Sequence, residues 1–440
     1  MAALGKPLLL VVLLAVAAVH QVGAFSEETP TDQRILVLLD DFGIKATHSM
    51  YFKSLTDRGY DLHFKLADDA SLALQKYGAY LYDALIFFAP TFDVLGGSLD
   101  VAVILDFIDS GHDVVLAAEG GASDVVRDIA TECGVDLEEE ENAVVVDHVN
   151  HSSLDADHTI VAASDLIQSK AILGPKTIEA PVLFRGLGMS VNPSNELVVK
   201  VLTAPPTTFS SSPSAKVAKV PTAHGRNLVL VAALQARNHA RVLVSGSLDL
   251  FSDKFFLASV EKKTPGAAPT NFEKSGNEQF AVEATKWTLH ERGHLRATNV
   301  RHHKVDEVAE GAVYRIRDEV EYSLDIQEWD GAKWVPYHAD DVQLQFFLMS
   351  PYVRKALTSN KKGHFSTTFQ IPDVYGVFQF KVDYHRLGYT DLNLAKQIPV
   401  RPFKHNEYER FIGAAYPYYS SAFSLLFAFV IFGVVFLYNK

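Results

Sequence analysis

The end of the chain constrains everything before it. From Ser421 to Tyr438 no residue carries a charge. A helix of about 18 residues rising 1.5 Å each covers roughly 27 Å, close to the hydrocarbon thickness of a bilayer. The run is apolar on every face, unlike the one-sided stripe of a helix packed on a soluble core. Tyr416, Tyr418 and Tyr419 flank one side and Tyr438 the other, where aromatic side chains mark membrane interfaces. These features predict one transmembrane helix over residues 416–438, followed by a two-residue tail, 439–440.

The other end sets the orientation. Lys6 precedes an apolar run from Leu8 to Val19. At about 12 residues that run is too short to span a bilayer. Val22-Gly23-Ala24 supplies residues suited to cleavage, so residues 1–24 read as a signal peptide and Phe25 as the mature start. The folded mass is then expected on the lumenal side and the tail in the cytosol, a single-pass type I arrangement. Counting basic residues does not set this orientation, because Arg401, Lys404 and Arg410 stand before the helix against Lys440 after it.

The formal net charge is −13. An acidic body of this kind argues against nucleic acid as the partner. There is one cysteine, Cys133, so no intrachain disulfide can form and the cores must be large enough to hold without staples. Val125, Val126, Ile129 and Cys133 share a helical face, which predicts a buried thiol.

Residues 25–293 read as an α/β unit. Ile35–Leu39, Tyr60–Leu66, Ala84–Phe88 and Val114–Ala118 are strand-like, with helical stripes between them. Strands alternating with helices predict parallel pairing through right-handed crossovers, in a doubly wound, flavodoxin-like sheet. Val144–Val146 and Thr159–Ala162 read as further strands, Glu138–Glu141 as a solvated turn, and the Pro/Ser/Thr-rich residues 204–221 as an irregular excursion. From residue 301 to 402 the period changes to two. Val320, Tyr322, Leu324 and Ile326 alternate with polar residues, and so do Val342–Leu348 and Phe378–Tyr384, which predicts an antiparallel β-sandwich. Residues 403–415 are a linker to the membrane.

In a doubly wound sheet ligands bind beyond the carboxyl ends of the strands. Those ends carry Asp40-Asp41-Phe42-Gly43, Pro90-Thr91-Phe92-Asp93 and Glu119–Ser123. Asp41, Phe92 and Ser123 are therefore candidate glycan contacts. The simpler reading of Asp41 and Ser123 is helix capping. An amidotransferase or hydrolase would need a nucleophile on such a strand-to-helix turn, and the single cysteine lies elsewhere. Arg185-Gly186-Leu187-Gly188 matches neither a dinucleotide nor a phosphate loop. His148, His151 and His158, with Asp147, Asp155 and Asp157, are ligand-type residues whose spacing fits no metal motif, so solvated histidines are the reading. Asn150-His151-Ser152 is a glycosylation sequon. No cofactor and no catalytic residue is expected.

Several long stretches carry a resemblance. They are RILVLLDDFGIKATHSMYFKSLTDRGYDLHFKLADD, VLFRGLGMS, LQARNHARVLVSGSLDLFSD, QIPDVYGVFQFKVDYHRLGYT and YERFIGAAYPYYSSAFS. In this order, from about Arg34 to the C-terminus, they resemble the 48-kilodalton subunit family of the oligosaccharyltransferase complex. The resemblance implies the endoplasmic reticulum membrane and a complex that moves a preassembled glycan from dolichyl diphosphate to asparagine in Asn-x-Ser/Thr. It implies an accessory, non-catalytic subunit beside a multispanning catalytic subunit, the ribophorins and the small defender-against-cell-death subunit. The Trp-Trp-Asp motif of the catalytic subunits has no counterpart, since Trp287, Trp329 and Trp334 are never adjacent. The end at Asn439-Lys440 lacks the lysine-containing tail of some relatives, so retention through assembly is expected. A lumenal glycan-binding module and an amidotransferase-like enzyme are the alternatives.

Overall fold

The computed structural model describes residues 30–439 apart from 32, 139, 141–142, 153, 212–222 and 263–268. The signal peptide, most of the irregular excursion and parts of the acidic turn lie outside these residues.

The α/β unit is built on one sheet. Its main strands are β1 (Arg34–Leu39), β2 (Asp61–Leu66), β3 (Ala84–Phe88), β4 (Asp113–Ala117), β5 (Val198–Thr203), β6 (Val229–Gln235) and β7 (Arg241–Ser245). The order across the sheet is β2-β1-β3-β4-β7-β6-β5. The first five run parallel. β6 and β5 are antiparallel to their neighbours, so the sheet is mixed rather than parallel throughout. The cause is local: only residues 236–240 separate β6 from β7, and a connection that short can close only an antiparallel pair. The expected strands near 144 and 160 form small ribbons of their own. Val144–Val146 pairs with Phe209–Ser211, and Val161–Ala163 pairs with Val182–Phe184.

Helices cover both faces. α1 (Ser49–Asp57) and α4 (Asn277–Thr288) pack on one side; α2 (Val101–Asp109) and α3 (Asp124–Glu132) pack on the other. The pleat of β1 divides its side chains accordingly. Ile35, Val37 and Leu39 join Tyr51, Phe52 and Trp287, whereas Leu36 and Leu38 join Ile104, Phe107, Val126 and Ile129. This two-sided burial is why the strand reads as an unbroken apolar run. Cys133 closes α3 and is buried, and burial pushes its thiol up to about 12. Such a thiol is not a nucleophile near neutral pH.

The C-terminal region holds two sheets around one core. β8 (Leu295–Lys304), β9 (Glu319–Trp329) and β12 (His364–Gln370) belong to one; β10 (Gln343–Phe347), β11 (Pro351–Ala356), β13 (Gly376–Tyr384) and β14 (Leu392–Arg401) belong to the other. The pairs between these strands are antiparallel. Side chains from both sheets interleave: Tyr322 stacks on Phe380 with ring centroids 5.3 Å apart, and Phe346 meets Phe369 at 5.3 Å. The alternation seen in the sequence matches the burial, with Val320, Tyr322, Leu324 and Ile326 inside. Beyond Arg401 the chain folds back on itself. Arg401 pairs with Glu407, and Phe403 lies against Tyr408. Helix α5 (Tyr416–Tyr438) then runs out with no buried residue. It is long and apolar enough to cross a membrane.

The two folded units meet at a joint that is polar at its centre. Trp287 Nε1 donates to Gly388 O at 2.8 Å, Gln235 Nε2 to Tyr389 O at 2.6 Å, and Thr390 N to Gly293 O at 2.9 Å. Gly388 has φ +84°, and a Cβ there would lie 2.9 Å from Ala171 and Ile172, so glycine is what lets the loop reach the α/β unit. Beneath it Arg241 is fully buried. Its guanidinium donates to the carbonyls of Trp287, Arg292 and Gly293 at 2.5, 2.7 and 2.8 Å, and lies over the Trp287 ring. Its backbone N–H donates to Asp113 at 2.7 Å, and the other oxygen of Asp113 stands 3.2 Å from His290 Nε2.

Candidate functional site

The carboxyl ends of β1, β3 and β4 converge, as parallel pairing requires. Thr91 Oγ1 donates to Asp40 at 3.1 Å, and Ser123 N donates to Pro90 O at 2.9 Å. These two bonds stitch the three loops together. Partial burial holds the Asp40 carboxyl above the usual range, against the hydrogen bonds from Thr91. Glu119 is raised too, first by partial burial and then by the charge of Asp249, while Arg185 opposes the shift.

The candidate residues are placed as follows. Asp41 is exposed, and its neighbour Phe42, also exposed, holds the cap position of the short helix Gly43–Thr47. The capping expected of Asp41 is therefore not made by its side chain. Phe92 is half-buried against the core on the α2–α3 side. Ser123 is 5% exposed and caps α3, its Oγ accepting from Val126 N at 3.5 Å. Asn150 is tied into a network around the fully buried Asp147. Its Nδ2 donates to Asp147 at 3.3 Å and to Thr207 at 3.0 Å. Burial alone would raise Asp147, but the donors of Asn150, Thr208, Val149 and Thr207 outweigh it and hold the carboxylate low.

The three histidines of this segment come together. His148 Nδ1 lies 2.8 Å from His158 Nδ1, and the rings of His151 and His158 stack at 3.9 Å. One nitrogen of the first pair must be a donor and the other an acceptor. Among the described residues no group of three or more His, Cys, Asp or Glu is placed to hold a metal ion.

Beside the strand ends lies a depression of about 260 Å³ lined by Val144, Leu154, Asp155, Asp157, Thr159, Ile160, Arg185 and Lys254. No spacing along the chain announces it, because Arg185 and Lys254 are far from the acidic segment. Asp155 shapes its wall, accepting from Thr159 N at 2.8 Å and Thr159 Oγ1 at 2.5 Å. The mouth is polar, with both signs of charge, and suits a hydroxylated or mixed-charge ligand better than an apolar one.

The profile of the OST48 N-terminal domain matches residues 26–291, and that of the OST48 middle domain matches residues 302–440. The chain belongs to the OST48 family. A relative from Arabidopsis thaliana named dolichyl-diphosphooligosaccharide–protein glycosyltransferase 48 kDa subunit is 55% identical over 419 residues, covering 95% of each chain. Proteins of the same name from Danio rerio and Drosophila melanogaster are 46% and 44% identical, covering 93% and 97% of this chain and 92% and 95% of their own. Among solved structures, a ThuA-like protein from Parabacteroides merdae aligns over 59% of this chain and 90% of its own, at 10% identity and a TM-score of 0.31, a likeness too weak to carry an argument. The two OST48 regions part between residues 291 and 302. That interval contains Arg292 and Gly293, whose carbonyls Arg241 holds.

Proposed function

We propose that this chain serves the oligosaccharyltransferase complex as a scaffolding subunit and not as its catalyst. The relatives it matches are named as the 48 kDa subunit of that glycosyltransferase. In this reading it stands in the endoplasmic reticulum membrane as a single-pass type I protein. Its folded mass is lumenal, and it contacts the multispanning catalytic subunit, the ribophorins and the small defender-against-cell-death subunit. The parallel half of the α/β sheet, with its β2-β1-β3-β4-β7 order, supports a flavodoxin-like unit. The shared core of the two C-terminal sheets supports a sandwich.

One observation carries the scaffold reading: the α/β unit docks on the C-terminal sheets at the Trp287–Gly388 joint, and the chain leaving those sheets at Arg401 enters one apolar helix 15 residues later. Such a body can hold other subunits at a fixed height above the membrane. Lipid-linked diphosphate chemistry needs a divalent cation held by several acidic groups at membrane level, and α5 carries no charged side chain. Depleting the protein in cells is expected to lower sequon occupancy on reporter glycoproteins and the abundance of the other subunits together, with both restored by re-expression. Unchanged occupancy and unchanged subunit levels would sink this reading.

A second reading, compatible with the first, is glycan contact at the joined strand ends. Exposed Asp41 and half-buried Phe92 sit beside the Ser123 cap there. Saturation-transfer NMR with a high-mannose oligosaccharide and the detergent-solubilised full chain should give a signal that Asp41→Ala and Phe92→Ala weaken. No signal at millimolar oligosaccharide removes this reading.

A further inference from the structure

The two ends of the C-terminal unit differ in chemistry. One end docks on the α/β unit through Gly388, Tyr389 and Thr390. The remaining turns at that end are polar: Asp330–Lys333, His338–Asp341 and Asn360–Gly363. At the opposite end three connections carry large apolar side chains into solvent. Val308 is 97% exposed, Met349 91% and Tyr375 69%, with Val377 and Tyr352 beside them also exposed.

Strand register places all three at one edge. Gly376 pairs with Val400, so Tyr375 lies where β14 ends. Phe347 pairs with both Gln379 and Pro351, which brings the Met349 turn alongside. Lys304 pairs with Val320, which sets the loop holding Val308 at the Glu319 end of β9. Arg401, the last residue of β14, leaves from this same edge, and the chain reaches α5 within 15 residues. That stretch is drawn in. Arg315 lies over the ring of Phe403, Phe411 meets Tyr419, and Ile412 N donates to Tyr419 Oη at 3.3 Å.

Exposed apolar side chains gathered at one edge, rather than scattered singly, mark an interaction surface. Arg315 and Arg317 beside the tips are paired with Asp318 and Asp373, and Val308 stands among Asp306, Glu307 and Glu310, so it is the aromatic and aliphatic side chains and not the charge that suit a headgroup–acyl boundary. We propose that the edge formed by Val308, Met349, Tyr352, Tyr375 and Val377 rests in the interface of the lumenal leaflet. The unit then touches the bilayer twice, through α5 and through this edge. Two contacts fix tilt as well as height, and the joint passes that orientation to the α/β unit. The inference rests on α5 being the membrane span.

The test uses the full chain in phosphatidylcholine nanodiscs, with Cys133→Ala as background and single sites Met349→Cys, Tyr375→Cys, Lys362→Cys and Tyr416→Cys. Each carries a fluorophore, and the lipid carries a headgroup nitroxide. Labels at 349 and 375 should be quenched at least about twofold more than at 362, as a seat roughly 5–10 Å into the boundary requires. Equal quenching at 349, 375 and 362 with strong quenching at 416 overturns the inference and leaves the span intact. Weak quenching at 416 as well overturns the span itself. Labels at 349 and 375 that lipid does not quench but that become shielded in the assembled complex assign the edge to a protein partner, which also overturns it.

Discussion

Replacing Arg241 with methionine is expected to cost about 3–5 kcal/mol, the range for breaking a buried charge network by removing one member. The arginine begins β7 and has no exposed surface. It satisfies the carbonyl of Trp287 near the end of α4 and those of Arg292 and Gly293 in the connector. A cation there also faces the negative end of the helix dipole. Methionine fills much of the same volume and keeps the backbone N–H that Asp113 accepts from, but its side chain donates nothing, so three carbonyls lose their donor in a buried site. A loss of this size is a large share of the roughly 5–15 kcal/mol that holds a domain folded. It corresponds to a melting temperature lower by about 10 °C for a unit of this size. Tryptophan fluorescence of the detergent-solubilised full chain reads it, since Trp287 is in the joint and Trp329 and Trp334 are close to it. Arg241→Lys should recover part of the loss, because an ammonium keeps the charge but not the fork that spans three acceptors. A methionine variant melting within about 2 °C of the parent, a change under roughly 1 kcal/mol, would show that the joint does not depend on this residue.

What periodicity reports is local, and the legible parts of this protein are those that local pattern decides. The apolar run of β1, the stripe of α2 and the alternation through β9 each state which faces are buried, and α5 announces itself by lacking any polar face. The antiparallel end of the main sheet is not legible, because the apolar runs of β6 and β7 are like those of the parallel strands and direction is set by the short link between them. Nothing local marks Arg241, because the carbonyls it holds lie 46 to 52 residues further on. Gly388 is separated from Trp287 by 101 residues, and no spacing rule connects them. The candidate site divides in the same way. The three strand-end loops were readable from topology. The turn of Ser123 into a helix cap followed its residue type, and the depression between Arg185, Lys254 and the Asp155 loop depended on contacts that only the folded chain makes.

Acid is expected to weaken the same joint before it reaches the carboxylates elsewhere. His290 is fully buried and His294 half-buried. Burial is the main cause that holds both below the ordinary histidine value. For His290 the charge of Asp113 opposes that shift and Arg241 adds to it. For His294, which is brought down to about 3, the charges of His290, Arg241 and His239 add to it. In the unfolded chain each imidazole takes its proton near pH 6.5. Between that value and the folded one the unfolded state binds more protons, so stability falls as pH falls. Above about pH 6.5 the contribution is complete, and below it His294 alone removes about 1.4 kcal/mol per pH unit. From pH 6.5 to 4.5 the loss should reach about 3 kcal/mol, with His290 adding in the same direction. Carboxylates held low by hydrogen bonds, such as Asp147, Asp155 and Glu283, also lose stability in acid. Their window opens only near pH 4, where unfolded carboxyls begin to protonate. Denaturant midpoints of the full chain between pH 7.5 and 4.5 separate the two sources. The parent should show the slope of at least one proton below pH 6.5, and His294→Phe should be flatter by about one proton across that window. Parallel curves for parent and variant would mean that His294 is protonated in the folded protein as readily as in the unfolded one, and that the joint is open to water.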